Sequence, residues 1–110
     1  EPQDGSIDSK DHWQTCMLGH AAANLIPVVA SNRIGEETDE ESSINFYGSS
    51  FIAGPQGNKV VEAGRDEETV LVSEFDLDAL EIGRIEWGIF RDRRPELYRL
   101  ISSYDGDLTF

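Results

Sequence analysis

Residues 45–75, NFYGSSFIAGPQGNKVVEAGRDEETVLVSEF, decide how this chain folds. Between Phe46 and Gly54, Tyr47, Ser49, Phe51 and Ala53 alternate with Phe46, Gly48, Ser50 and Ile52, a period of two that predicts a strand. Pro55-Gln56-Gly57-Asn58 then combines a residue with preset φ and one that tolerates positive φ, which predicts a tight reversal. The return run Lys59-Val60-Val61-Glu62-Ala63 contains β-branched residues, and a charged turn at Arg65-Asp66-Glu67-Glu68 precedes a third predicted strand from Thr69 to Phe75. The three together predict an antiparallel meander. Both faces carry apolar residues, Phe46, Ile52 and Val61 on one and Phe51, Val70 and Val72 on the other, so one face is expected against helices and the other against a second sheet. Closure of that sheet within this chain is not expected.

Working outward, the composition sets limits. A chain of 110 residues has room for one domain, and its 38% hydrophobic content is enough for a core. A net charge of −13, from 22 acidic and nine basic residues, disfavours nucleic acid and anionic membranes as partners; it would attract a small cationic ligand, although a charge that keeps the surface soluble is the ordinary reading. No apolar run approaches the ~20 residues that a membrane-spanning helix needs. Cys16 is the single cysteine, so no internal disulfide forms, and a reducing, cytoplasmic setting is the expectation. The opening EPQDGSIDSK, with neither Met nor an apolar leader, reads as the start of a processed or excised piece.

The first nine residues read as a loop ending in a helix cap at Asp8 or Ser9. From Lys10 to Asn24, Trp13, Cys16/Met17, His20/Ala21 and Ala23/Asn24 recur at helical spacing, and Asp11 stands in the first turn where the macrodipole favours an acid. Leu25 to Ala30 is a short apolar run of buried-strand type, with Pro27 at its start. Asn32 to Gly35 leaves this strand, and the acidic run from Glu36 to Ser43 reads as a solvated loop. Beyond Phe75, a short helix capped by Asp76 or Asp78 is expected through Leu77, Leu80 and Arg84, weakened by Gly83 and ended by Gly88. Pro95 and Glu96 suit the first turn of a last helix carrying Leu97, Leu100 and Ile101 on one side, ending at Tyr104–Asp107, with Leu108–Phe110 as a tail. The fold class is α/β (α+β): one helix–strand unit, an antiparallel meander and C-terminal helices.

The residues alone reveal no catalytic constellation. Cys16 falls mid-helix on the apolar stripe, without a strand-to-helix elbow or basic neighbour to generate thiolate, and is expected in the core. His12 and His20 are about 12 Å apart along a helix, too far to share a metal ion, and His20 is expected in the core. The acids Glu1, Asp4 and Asp8 cluster in a loop beside a helix start, where they would be solvated or would hold an ammonium group. Arg91, Arg93 and Arg94, next to the apolar knot Trp87, Ile89 and Phe90, form a basic island suited to pairing with carboxylates of another segment or subunit.

The segments EPQD…DSKDHW (1–13), GHAAANLIPVVASNRIG (19–35), FYGSSFIAGPQG (46–57) and WGIFRDRRPELY (87–98) together resemble the C-terminal part of a nitrilase-superfamily carbon–nitrogen hydrolase. The motifs DHW, ASNRIG and FRDRRPELY are most similar to the branch acting on N-carbamoylputrescine. The resemblance implies part of an α-β-β-α sandwich extended by oligomerisation, and a Cys–Glu–Lys mechanism without cofactor or metal. It places that triad upstream of Glu1, so residues 1–110 are read as the C-terminal portion of a single hydrolase domain, itself inactive. The rest of the site would come from the missing N-terminal half or another subunit. A non-catalytic dimerisation module derived from the same fold is the alternative. By the same resemblance Glu1 contacts the distal amine of the substrate, and Asn32 and Arg33 brace the pocket wall through backbone contacts. Trp87, Phe90, Arg91, Arg93 and Arg94 fall in the segment associated with subunit packing.

Overall fold

The computed structural model describes residues 8–104. Helix α1 spans Lys10–Asn24 as its periodicity predicts, and begins at Ser9, with the Asp8 carboxylate accepting the Lys10 amide at 3.0 Å. It ends at Leu25 in the left-handed conformation, where the Leu25 and Ile26 amides close back on Ala22 and Ala21. Five strands follow: β1 Val28–Ala30, β2 Ile34–Asp39, β3 Ser42–Tyr47, β4 Phe51–Ala53 and β5 Lys59–Glu62. Helix α2, Leu77–Trp87, is capped by the Asp76 side chain accepting the Ala79 amide and ends on Gly88 at φ +65°, as expected.

Several elements depart from the sequence reading. The predicted strand from Phe46 to Gly54 is broken: Gly48 and Ser49 both take positive φ, +52° and +56°, which splits it into β3 and β4. The predicted third strand at Thr69–Phe75 has no regular structure, and its Val70 and Val72 are 85% and 83% exposed rather than facing a sheet. β1 takes its place, so the three-stranded antiparallel sheet runs β1-β4-β5. The acidic stretch expected as a loop is instead a two-stranded hairpin, β2-β3. Tertiary register overrides composition here, because the chain leaving β1 meets the chain entering β4. Register is continuous across the break: Ala30 pairs with Phe51 on one side and Ile34 with Tyr47 on the other. Thus β1-β4 and β2-β3 are two halves of one ribbon, hinged where residues 31–33 face 48–50. The predicted last helix is two short 3₁₀ turns, Pro95–Leu97 and Arg99–Ser102. Neither turn buries a residue, so no packed apolar stripe holds this segment in an α-helix.

The core lies where α1 covers one face of β1-β4. Ala21, Phe51 and Ala53 are fully buried there, with Trp13, Met17, Leu18, Val28 and Ala30 packed around them. Trp13 sets its ring edge-on to Phe51, centroids 5.4 Å apart, and tilted against Tyr47 at 5.8 Å. On the other face, Val29 is 73% exposed. No residue of α2 is buried. A radius of gyration of 18.7 Å, against roughly 13 Å for a compact globule of this length, and extents of 50 × 44 × 19 Å describe a slab with uncovered apolar surface.

Candidate functional site

The hinge between the two halves of the ribbon forms a cleft of about 130 Å³, lined among others by Asn32, Ser49, Ser50, Glu67, Glu68 and Thr69. Asn32 is the staple of this hinge. Its side-chain amide donates to the Gly48 carbonyl at 3.0 Å, its backbone amide to Ser50 Oγ at 2.9 Å, and its Oδ1 accepts the Arg33 amide at 2.8 Å. Gly48 in turn donates to the Arg33 carbonyl, and Ser49 to the Gly64 carbonyl. Gly48 has no room for a side chain: a Cβ there would stand 2.5 Å from the Arg65 carbonyl oxygen and 2.6 Å from Ile34 Cγ2. Arg33 directs its guanidinium away from the hinge, pairing with Glu37 and lying 4.6 Å over the Phe46 ring.

Behind the hinge lies a polar cluster that the sequence reading did not anticipate. Gln14, 3% exposed, donates from Nε2 to the Ser49 carbonyl at 3.1 Å and to Glu62 Oε1 at 2.7 Å. Lys59 Nζ donates to Gln14 Oε1 at 3.0 Å and to Glu62 Oε2 at 2.7 Å, while Lys10 Nζ lies 3.1 Å from Glu62 Oε1. The only available signal was a glutamine between Trp13 and Met17 on an otherwise apolar stripe. The side-chain hydrogen bond from Lys59, then that from Gln14, holds the Glu62 carboxyl at about 2. Asp8 also lies below the usual carboxylate range, through the Lys10 amide and then Arg65, with which it pairs across to the turn after β5.

A pH dependence follows. The folded chain holds Glu62 ionised more strongly than the unfolded chain does, so its contribution is complete above the ordinary glutamate value of 4.5 and is lost as pH falls towards 2. With the side chain 27% exposed, solvent screening reduces the contribution to on the order of 2 kcal/mol. In urea unfolding followed from pH 6 to 2, Glu62→Gln is expected to flatten the acid limb and lower stability at pH 6. An unchanged acid limb would remove Glu62 from this role.

The remaining predicted positions are distributed as follows. Glu1 and Asp4 lie outside the described residues, as does the tail from Leu108 to Phe110. Asp8 is not merely a solvated loop charge, since it bonds the helix start and Arg65. Cys16 is exposed rather than in the core, and so is His20. The buried stripe of α1 runs through Trp13–Gln14, Met17–Leu18 and Ala21, which turns His12, Cys16 and His20 outward in one line. Cys16 Sγ lies 3.8 Å from His12 Nε2, while the carboxylate and ammonium groups of Glu62 and Lys59 converge on Gln14 instead. Among the described residues no group of three or more His, Cys, Asp or Glu is placed to hold a metal ion.

Arg91 pairs with Asp92 and Arg94 with Glu96, each within its own segment. Arg93 donates to the Phe90 carbonyl and stacks 5.3 Å from the Phe90 ring, with Arg84 over that ring at 4.6 Å. Trp87, 74% exposed, lines with Ile89 a hollow of about 410 Å³ against Ala22, Ala23, Leu25 and Gln56. No helix among the described residues is long and apolar enough to cross a membrane.

Residues 4–84 match the family model for carbon-nitrogen hydrolase. The chain is 57% identical to an N-carbamoylputrescine amidase of Oryza sativa subsp. japonica, over 97% of its own length and 37% of that protein. It is 55% identical to the N-carbamoylputrescine amidase of Arabidopsis thaliana, over 98% and 38%. A citrullinase of Francisella tularensis is 51% identical, over 89% and 34%. A crystal structure of a carbon-nitrogen hydrolase from Helicobacter pylori superposes with a TM-score of 0.79 at 37% identity, covering 88% of this chain and 34% of the other. The chain therefore spans little more than a third of the length of the curated relatives it matches.

Proposed function

The chain belongs to the carbon–nitrogen hydrolase family, and on that premise we propose that it is part of an amidohydrolase that converts N-carbamoylputrescine and water to putrescine, ammonia and carbon dioxide in polyamine biosynthesis. The observation that carries this reading is the 57% identity, over nearly the whole chain, to an N-carbamoylputrescine amidase. A net charge of −13 suits a substrate whose distal end is an ammonium group, and Glu1 is assigned to that end. Asn32 and Arg33 brace the pocket wall: the Asn32 side chain and the Arg33 carbonyl bond the backbone of Gly48.

The reaction centre, in this reading, is a cysteine, a glutamate and a lysine beyond these 110 residues, working without a cofactor. The thiolate attacks the carbamoyl carbon, the glutamate moves the proton, and the lysine stabilises the oxyanion. These groups come from the rest of the hydrolase domain, whose second sheet covers the open face around Val29. The surface bearing Trp87, Phe90, Arg91, Arg93 and Arg94 packs subunits in a cytoplasmic homo-oligomer. The uncovered apolar surface supports a missing neighbour.

The test is ammonia release from N-carbamoylputrescine, with citrulline as the competing ureido substrate. The 110 residues by themselves are expected to give no turnover. Joined to the remainder of a hydrolase domain they are expected to turn over N-carbamoylputrescine, at a rate that Cys16→Ala leaves within about twofold, since an exposed side chain off the site contributes little. Turnover by the 110 residues alone that Cys16→Ala abolishes would overturn the assignment. A monodisperse dimer that never supports hydrolysis would favour the interaction-module reading.

A further inference from the structure

The hinge at residues 48–50 is held in a costly conformation. Ser49 is a non-glycine residue at φ +56°, directly after Gly48 at +52°, and it is 2% exposed. Such backbone persists only where its surroundings over-determine it. From the ribbon side the determinants are ordinary: Asn32, the Arg33 and Gly64 carbonyls, and the Tyr47 carbonyl, which accepts the Ser49 hydroxyl at 2.9 Å. From the helix side there is Gln14. Both Nε2 hydrogens are committed, one to the Ser49 carbonyl and one to Glu62, and Oε1 faces Lys59, which can only donate. The amide therefore has one orientation. Reversed, it would set its oxygen against the Ser49 carbonyl and the Glu62 carboxylate, and its NH2 against an ammonium. Lys10 holds Glu62 from the start of α1 and Lys59 holds it from β5, so the charged pairs aim the amide and the amide aims the hinge.

We propose that Gln14 is a positioning residue: oriented by Glu62, Lys59 and Lys10, it locks the Ser49 carbonyl inward and so fixes how Ser49 and Ser50 line the cleft opposite Glu67 and Glu68. The consequence for substrate rests on the amidohydrolase reading above, with the cleft as part of its pocket. Gln14 touches no reacting atom in this assignment. Its loss should weaken substrate capture while sparing the chemical step.

The experiment has two arms that fail separately. In the complete hydrolase, Gln14→Met, similar in size but without hydrogen bonds, is expected to raise KM for N-carbamoylputrescine about tenfold with kcat within about twofold, the scale of a lost buried hydrogen bond to a wall that must stay in place. Met17→Ala, which loosens the same helix against the core without touching the hinge, serves as the control, compared at a temperature where both variants are equally folded. Amide hydrogen exchange on the same proteins reads the hinge directly. Gly48 and Ser49 are expected to exchange about tenfold faster in Gln14→Met than in Met17→Ala, with β4 unchanged. Equal KM shifts in the two variants, or Gly48 and Ser49 exchange no faster than in the control, would overturn the proposal. Absence of hydrolysis in the wild type would sink the amidohydrolase reading, and the exchange arm would still decide the role of Gln14.

Discussion

Truncating Phe51 to alanine is expected to cost about 3–5 kcal/mol, the range for removing a buried aromatic ring from a core that cannot collapse. The ring is the largest fully buried apolar side chain among the described residues, it meets Trp13 edge-on, and it projects from the central strand of its sheet towards α1. A small domain has only about 5–15 kcal/mol of stability in total. Among the described residues little apolar surface is buried beyond Ala21, Phe51, Ile52, Ala53 and Ala63, so Phe51→Ala is expected to remove cooperative unfolding altogether. Near-ultraviolet circular dichroism of Trp13 and urea unfolding followed by fluorescence provide the measurement. Val72→Ala, at a position 83% exposed, is the comparison and should shift the midpoint negligibly. A cost below about 1 kcal/mol for Phe51→Ala would show that the helix–sheet contact is not what holds the fold.

Gly48→Val is expected to cost roughly 3 kcal/mol or more, from two sources that add. A β-branched residue at φ +52° is strained whatever space surrounds it. Space is also lacking, because the new Cβ meets the Arg65 and Gly64 carbonyl oxygens at 2.5 and 3.0 Å and Ile34 Cγ2 at 2.6 Å. Backbone oxygens fixed by the turn after β5 cannot swing aside as a flexible side chain would. Gly19→Ala gives the opposite sign. Gly19 sits mid-helix with nothing within 4 Å of a built Cβ, so alanine is expected to stabilise by ~0.5–1 kcal/mol. Thermal melts of the two variants should therefore move in opposite directions, and a neutral Gly48→Val would disprove the tight hinge.

The different fates of the helices and strands show where sequence reading reaches. Helix α1 was legible from end to end because fifteen residues hold a single period, and α2 because Asp76 and Gly88 mark its ends through local hydrogen bonds and a left-handed cap. The rotation of α1 was not fully legible. Cys16 and Met17 are both apolar and adjacent, and only the position of Phe51 and the sheet decides that Met17 turns in and Cys16 out. The run from Thr69 to Phe75 has strand composition without a partner strand, and β-propensity without a partner forms nothing. In the acidic stretch the reverse happens: Glu36 to Asp39, poor in strand propensity, pair because the ribbon delivers them in register to Ser42–Asn45, with Glu40 and Glu41 as the turn.

Sequence by itself determined the class of fold, the two helices, the reversal at residues 55–58 and membership of the hydrolase family, since each of these depends on local periodicity or on matching short motifs. Tertiary structure alone decided which strand completes the sheet, where the ribbon bends and that Gln14, Lys59 and Glu62 meet. The physical reason is distance along the chain. Gln14 reaches Ser49 and Glu62 across 35 and 48 residues, and no pattern within a window of ten or twenty records that a glutamine's two hydrogens have partners so far away.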